Sequence, residues 1–276
     1  MTLPTPLVPV DWLMNHPLEP VILDCRFALA DPEQGRCAYE QGHLPGAHYL
    51  DLNRDLSSPV QTHGGRHPLP VVETLAAKFG RCGIDSQRST PVVIYDDFRG
   101  AFAARCWWLL CYYGHAPVAV LQGGIAAWTA LGQPLTTEVP PPKTATFTPQ
   151  IQADWVLDYG QVQARQGQGV LVDARSPQRF RGEQEPIDPV AGAIPGAVNS
   201  CWQDVVDEQG QFLAPAALAD HWSTLTDPEP VMYCGSGVTA CVNLLSRAAA
   251  GYPMAQLYVG GWSDWCSYLD SDSDRR

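Results

Sequence analysis

The stretch Cys234-Gly235-Ser236-Gly237-Val238-Thr239-Ala240 places a nucleophilic side chain inside a small, glycine-rich loop. A short apolar run, Pro230-Val231-Met232-Tyr233, precedes it, and a helical pattern over residues 238–250 follows. The cysteine therefore stands where a buried strand ends and the chain curls toward a helix N-terminus. Glycine lets such a loop close tightly and turn successive backbone N–H groups on one point. The positive end of the helix dipole faces the same point. A thiol held there is expected to act as a thiolate nucleophile, whereas a cysteine that only fills a core needs no glycine cradle. A cysteine phosphatase uses a similar loop but wants arginine six residues after the cysteine to grip phosphate. That place is Ala240, which argues against phosphatase chemistry.

The elements that must position this loop occur twice. Val21-Ile22-Leu23-Asp24-Cys25-Arg26 returns as Val170-Leu171-Val172-Asp173-Ala174-Arg175, an offset of 173 − 24 = 149. Leu44-Pro45-Gly46-Ala47 returns as Ile194-Pro195-Gly196-Ala197, Val92-Val93-Ile94-Tyr95-Asp96 as Pro230 to Cys234, and Gln122-Gly123-Gly124 with Trp128 as Val259-Gly260-Gly261 with Trp265. Four ordered matches imply a duplicated domain. The copies are expected over residues 1–138 and 151–276, joined by a linker over 139–150. That linker lies in a stretch with four prolines between Thr136 and Pro149. In the first copy strands are expected over 21–24, 92–95 and 118–121, and helices over 71–80 and 101–113. Short apolar runs separated by helices indicate parallel strands with crossover helices, an α/β fold, in which ligands bind beyond the C-terminal strand ends. Asp96 takes the place of Cys234 in the first copy, so that copy is expected to be catalytically silent and to help form the cleft.

The bulk properties bound the partners. The 276 residues suffice for two domains, and 45% hydrophobic with 17% charged residues is an ordinary globular composition. A net charge of −12 argues against nucleic acid and anionic membranes, and makes each arginine near the loop count for more. No 18-residue apolar run occurs. The first 20 residues hold five prolines and no basic leader pattern, so neither a signal peptide nor a membrane span is expected. Nine cysteines, an odd count with no C-x-x-C pair, point to neither disulfides nor a metal site and fit a reducing cytoplasm. Cys106, Cys111 and Cys241 fall in apolar helical patterns, as do Trp107 and Trp108, and core packing is expected of them. The acidic tail, residues 270–274, is expected to be solvated.

With its paired copies, D-x-R strand ends, [LI]-P-G-A turns, active cysteine in the second copy and final G-G-W-x-x-W, the chain resembles the tandem-domain rhodaneses. The Cys-Gly-Ser-Gly-Val-Thr loop is similar to that of the 3-mercaptopyruvate sulfurtransferases. The resemblance implies two tandem α/β domains, each a mainly parallel sheet flanked by helices, and sulfur transfer through a Cys234 persulfide without metal or organic cofactor. The loop N–H groups from Gly235 through Gly237, Val238 and Thr239 would then stabilise the outer sulfur. Arg179, in Ser176-Pro177-Gln178-Arg179, matches the family arginine that grips the donor's anion, while Arg181 is read as solvent-facing. His67 and Ser236 match two members of an acid–His–Ser constellation. Asn53 stands at the acid position, with Asp51 and Asp55 nearby as substitutes; His63 and His43 have no such match. The family's second carboxylate-binding arginine falls on Ile187, which cannot hold an anion.

Thiosulfate-using relatives carry basic residues directly after the cysteine, and here Gly235 and Ser236 are neutral. The donor expected is therefore 3-mercaptopyruvate, with thiosulfate second, and the acceptor a small thiol, a thioredoxin-like dithiol or, in vitro, cyanide. A different class of function is a persulfide relay that delivers sulfur to a protein partner. A third, a thiol redox sensor, would need Cys241 as resolving cysteine, although its place on the helix points it to the core.

Overall fold

The computed structural model describes residue 3 and residues 6–16, 19–225 and 227–273, without the side chains of 270–273. In the first half of the chain the elements are β1 (Leu7–Val8), α1 (Val10–Asn15), β2 (Val21–Asp24), α2 (Gln34–Gln41), β3 (Ala47–Tyr49), α3 (Val72–Cys82), β4 (Val92–Tyr95), α4 (Ala101–Tyr112), β5 (Val118–Leu121) and α5 (Gly124–Ala130). In the second half they are β6 (Val156–Leu157), α6 (Tyr159–Ala164), β7 (Leu171–Asp173), α7 (Pro177–Phe180), β8 (Val198–Asn199), α8 (Pro215–Ser223), β9 (Val231–Tyr233), α9 (Ala240–Ala249), β10 (Gln256–Tyr258) and α10 (Gly261–Ser273). The expected α/β class holds. Each half builds a five-stranded, wholly parallel sheet, ordered β1-β5-β4-β2-β3 in one and β6-β10-β9-β7-β8 in the other.

Two compact units result. One comprises Met1–Ser58, Pro70–Gln152 and Val206–Phe212; the other comprises Pro59–Leu69, Ala153–Val205 and Leu213–Arg276. Each unit thus includes a short segment from the other half of the sequence. The central strands β4 and β9 are buried along their whole length, as continuous Val-Val-Ile-Tyr and Val-Met-Tyr runs require of strands covered on both faces. Trp107 and Trp108 are buried on α4, in line with their expected core role, and Cys106 and Cys241 are wholly buried while Cys111 is only half covered. Helix α10 runs to Ser273, and the tail's acidic side chains at 270–274 lie outside the described residues.

The repeated D-x-R motif forms the same buried network in both units. Asp24 accepts from Arg26 Nε and Nη2 at 2.9 and 2.7 Å, and Arg26 Nη2 also donates to Gly42 O at 2.8 Å. Tyr95, the last residue of β4, donates its hydroxyl to Asp24 at 2.6 Å and accepts from Leu44 N at 3.2 Å. Asp173, Arg175, Gly192, Tyr233 and Ile194 repeat the arrangement, with Arg175 Nη2 2.6 Å from both Asp173 and Gly192 O. Burial alone would pull both guanidinia down, but their aspartate bonds outweigh it and both titrate above the ordinary arginine value. Burial, reinforced by the aspartate charge, pushes the phenols of Tyr95 and Tyr233 up. The motif therefore ties the end of the middle strand to the neighbouring strand and to the [LI]-P-G-A turn.

Removing one member of such a pair strands a buried charge. Asp24→Ala is expected to cost about 3–5 kcal/mol in urea unfolding, and a loss below about 1 kcal/mol would contradict the network's role. A pH effect follows from His115, which is buried with Nε2 2.7 Å from Thr90 O. Burial lowers its pKa against the opposing pull of that carbonyl, and burial lowers His48 and His221 likewise. The unfolded chain takes up these protons near pH 6.5, before the folded one does, so stability contributed by these groups is lost as pH falls through and below that value. Urea midpoints should drop between about pH 7.5 and 5.5, with a shallower drop in His115→Gln; an identical slope would remove His115 from the account.

Candidate active site

Cys234 follows β9 directly and is 2% exposed. The loop after it is held from below by the first residues of α10: Trp262 N donates to Cys234 O at 2.8 Å and Ser263 N to Gly235 O at 2.8 Å. With the carbonyls fixed on that side, the loop closes through Gly237, whose φ of 71° lies in the left-handed region. A Cβ on Gly237 would also stand 2.3 Å from Val259 O, so both conformation and space demand glycine there. Helix α9 starts at Ala240, two residues later than the helical pattern alone suggests, because Val238 and Thr239 are spent on the loop. Cys241 is wholly buried and its thiol donates to Gly237 O at 3.3 Å, pinning the loop.

The first unit displays what this kind of loop does. Asp96 directly follows β4, and its two carboxylate oxygens accept from the backbone N–H groups of Phe98, Gly100, Phe102 and Ala103, all at 2.9 Å. Burial raises the Asp96 pKa, and those four N–H bonds work against the rise. The loop is thus an anion cradle filled by its own side chain. In the second unit the loop is one residue longer between strand and helix, 240 − 233 = 7 against 101 − 95 = 6, and a thiol occupies the place of the carboxylate.

Two guanidinium groups overhang Gly235. A Cβ there would meet Arg66 Nη2 at 2.9 Å and Arg179 Nη2 and Nη1 at 3.5 and 3.6 Å, so the bare backbone lets both side-chain ends lie close over it. Arg179 projects from α7, a single turn started by Pro177, and bonds Glu185 Oε1 through Nη2 at 2.7 Å and Asp188 Oδ2 at 3.0 Å. Arg66 pairs with the other oxygen of Asp188. Burial pulls the Arg66 pKa down; the Cys234 charge opposes that pull and the neighbouring Arg179 charge reinforces it. Arg66 belongs to the segment Pro59–Leu69 of this unit, which α10 holds through Gly64 N to Asp264 Oδ1 at 2.6 Å and Arg66 N to Ser263 Oγ at 3.1 Å. The same segment brings His67 to Ser236, where Nδ1 and Oγ share a hydrogen bond of 2.7 Å with both residues buried.

Cys234, Gly235, Ser236, Gly237, Arg179 and His67 therefore come together in one unit. Arg181 turns away, exposed and paired with Glu183, and Ile187 is 47% exposed. His63 bonds Ser267 Oγ at 2.7 Å and stacks on Tyr268, and His43 lies buried against the carbonyls of Tyr39 and Glu138. Around Asn53, Asp51 Oδ1 accepts from the backbone of Asn53 and Arg54, and Asp55 bonds Asp51 N and Lys78, so both carboxylates close their own turn. Sequence reasoning missed Arg66. The available signal was an arginine directly before the candidate histidine in a strongly acidic chain.

The chain matches the Rhodanese-like domain family over residues 10–131 and again over 158–268. It belongs to that family and is a sulfurtransferase with two rhodanese-like domains. Among curated relatives, it is 47% identical over 253 residues to the probable 3-mercaptopyruvate sulfurtransferase of Pseudomonas aeruginosa, covering 89% of this chain and 88% of that protein. It is 42% identical to the putative thiosulfate sulfurtransferase SseB of Mycobacterium tuberculosis, with 89% and 87% covered. Among solved structures, the 3-mercaptopyruvate sulfurtransferase from Leishmania major superimposes with a TM-score of 0.85 at 28% identity, over 97% of this chain and 76% of that one.

Gly237→Ala should lower the melting temperature, since the left-handed strain alone costs about 1–3 kcal/mol, and should slow modification of Cys234 by iodoacetamide. A wild-type modification rate at reduced stability would mean that the loop shape does not set the thiol's reactivity.

Proposed function

We propose that this sulfurtransferase takes sulfur from 3-mercaptopyruvate and holds it as a persulfide on Cys234. The observation that carries the reading is the pair of guanidinium groups, Arg66 and Arg179, standing over Gly235 beside a buried cysteine whose loop is otherwise neutral. A carboxylate fits between two such planar forks. Its ketone and C–S bond would then lie toward Cys234. Arg66 takes the part that the residue at 187 cannot, so the absent arginine of the family pattern does not leave the site with a single cation.

In this mechanism the Cys234 thiolate attacks the donor's sulfur. The S–S bond forms as the C–S bond breaks, the electron pair leaves as the enolate of pyruvate, and a proton converts that enolate to the ketone. Ser236 and His67 supply or move that proton. The persulfide retains the donor's thiol hydrogen or loses it to become Cys–S–S⁻, a charge suited to the backbone N–H groups of residues 235–239. The cradle that Asp96 fills in the first unit supports this role for its counterpart. A thiol acceptor then attacks the outer sulfur and restores Cys234; a small thiol or a dithiol protein suits this step, with cyanide as an assay substitute.

The test is steady-state kinetics with one common thiol acceptor. Mercaptopyruvate should give the higher kcat/KM, and Cys234→Ser should abolish turnover. Arg179→Ala and Arg66→Ala should each lower kcat/KM by about 10- to 100-fold, the worth of one charge-assisted hydrogen bond. A preference for thiosulfate would overturn the donor assignment. Negligible turnover of both donors, with Cys234 still accepting sulfur from a persulfidated protein, would replace it with a relay function.

A further inference from the structure

The two arginines over the loop are not free charges, and their partners carry information about the donor. Around them Arg66, Arg175 and Arg179 face Asp173, Glu185 and Asp188 in a closed set of ion pairs. Asp188 gives one oxygen to Arg66 and the other to Arg179, with its side chain 2% exposed; Glu185, 3% exposed, bridges Arg179 and Arg175. Three positive charges meet three negative ones, so the anion pocket beside Cys234 sums to zero before any donor arrives. Arg66 Nη2 and Arg179 Nη1 and Nη2 still stand close over Gly235. A neutral pocket with two aimed forks is suited to recognising the shape of one carboxylate. It offers no net attraction to offset a second negative charge brought next to a thiolate.

We propose that Asp188 and Glu185 are specificity-determining residues: by cancelling the arginine charges they make the site accept a monoanionic α-keto carboxylate and reject a dianion such as thiosulfate. They act through Arg66 and Arg179 and touch no reacting atom, which makes them positioning residues. The inference rests on the donor reading above for its substrate, but the charge balance itself does not. Coulomb energies scale with the donor's charge, so uncovering one positive charge favours a dianion over a monoanion by one extra unit of charge. Across roughly 10 Å, through an effective dielectric of about 20, that difference is worth about tenfold in rate. The same difference separates a monoanion from a neutral reagent.

The experiment uses the full chain as wild type, Asp188→Asn and Glu185→Gln, both amides preserving shape and removing charge. Two readouts are taken. The first is the ratio of alkylation rates of Cys234 by iodoacetate, a monoanion, and iodoacetamide, which is neutral, followed on the Cys234 peptide by mass spectrometry. The second is the ratio of kcat/KM for thiosulfate to that for 3-mercaptopyruvate. Both ratios should rise about tenfold in each variant, a change that general damage to the fold would not produce because both reagents of each pair meet the same thiol. If Asp188→Asn does not fold, Glu185→Gln carries the test alone. An alkylation ratio within about twofold of wild type overturns the proposal. So does a raised alkylation ratio with an unmoved donor ratio, since the charge balance would then not filter donors. A wild type that turns over neither donor, yet shows the shift in alkylation ratio in both variants, upholds the charge balance and overturns the donor reading instead.

Discussion

The site depends on a buried aspartate–arginine pair one strand away from the cysteine. Asp173 ends β7 and Arg175 follows it two residues on, and through the Tyr233 hydroxyl and the turn at Ile194 they fix where β9 stops. Cys234 is the next residue. Arg175 also reaches forward: it bonds Glu185, which holds Arg179, and its guanidinium lies over the Trp262 ring at 5.0 Å. Trp262 in turn fixes the carbonyl of Cys234 through its backbone N–H. One buried cation therefore sets the strand end, the loop and Arg179 together. A buried pair of this kind is weak evidence for stability, because desolvation offsets the attraction. Its value here is geometric, since few arrangements satisfy all its hydrogen bonds at once.

The duplicated scaffold separates what belongs to the fold from what belongs to the chemistry. Both units carry the Asp–Arg–Tyr network, the [LI]-P-G-A turn and the paired glycines before α5 and α10, so these serve the architecture. The loops diverge. In the first unit Asp96 occupies its own cradle with four backbone N–H bonds. That arrangement needs no ligand, and a side-chain carboxylate in place of a thiol has no sulfur to carry. In the second unit the corresponding position holds a thiol, and the glycine after it leaves its Cβ space to two guanidinium groups.

Much of this was legible in the sequence, for identifiable reasons. The strands at 21–24, 92–95 and 118–121 stand where their β-branched runs place them, and α4 ends within one residue of expectation, because each is long enough for local pattern to decide. Two-residue strands such as β1, β6 and β8 have no period to read. Cys234 and Arg179 are visible through motif and spacing. The neutralisation of Arg179 by Glu185 and Asp188 is not, because a local stretch reveals residue types but not which oxygen faces which nitrogen. Arg66 is the clearest miss. It lies 168 residues before the cysteine (234 − 66), and nothing local shows that residues 59–69 pack within the second unit.

The segments placed in each unit from the other half of the chain differ in the charge they bring to the strand ends. In the first unit Val206–Phe212 is anchored at the paired glycines before α5, by Gly123 N to Gly210 O at 2.9 Å and Phe212 N to the Gln122 side chain at 2.9 Å. Its charged members are Asp207 and Glu208. In the second unit Pro59–Leu69 is anchored at the start of α10, and it carries Arg66 and His67. Equivalent places on the two scaffolds thus receive acids in one case and an arginine with a histidine in the other. An anion would be repelled where the cradle is already filled by Asp96, and is met by cations where the cradle holds a thiol. Loop residue and incoming segment change together: beside Asp96 the cavity wall combines Arg99 with Asp97 and Glu208, whereas beside Cys234 the ends of Arg66 and Arg179 overhang Gly235.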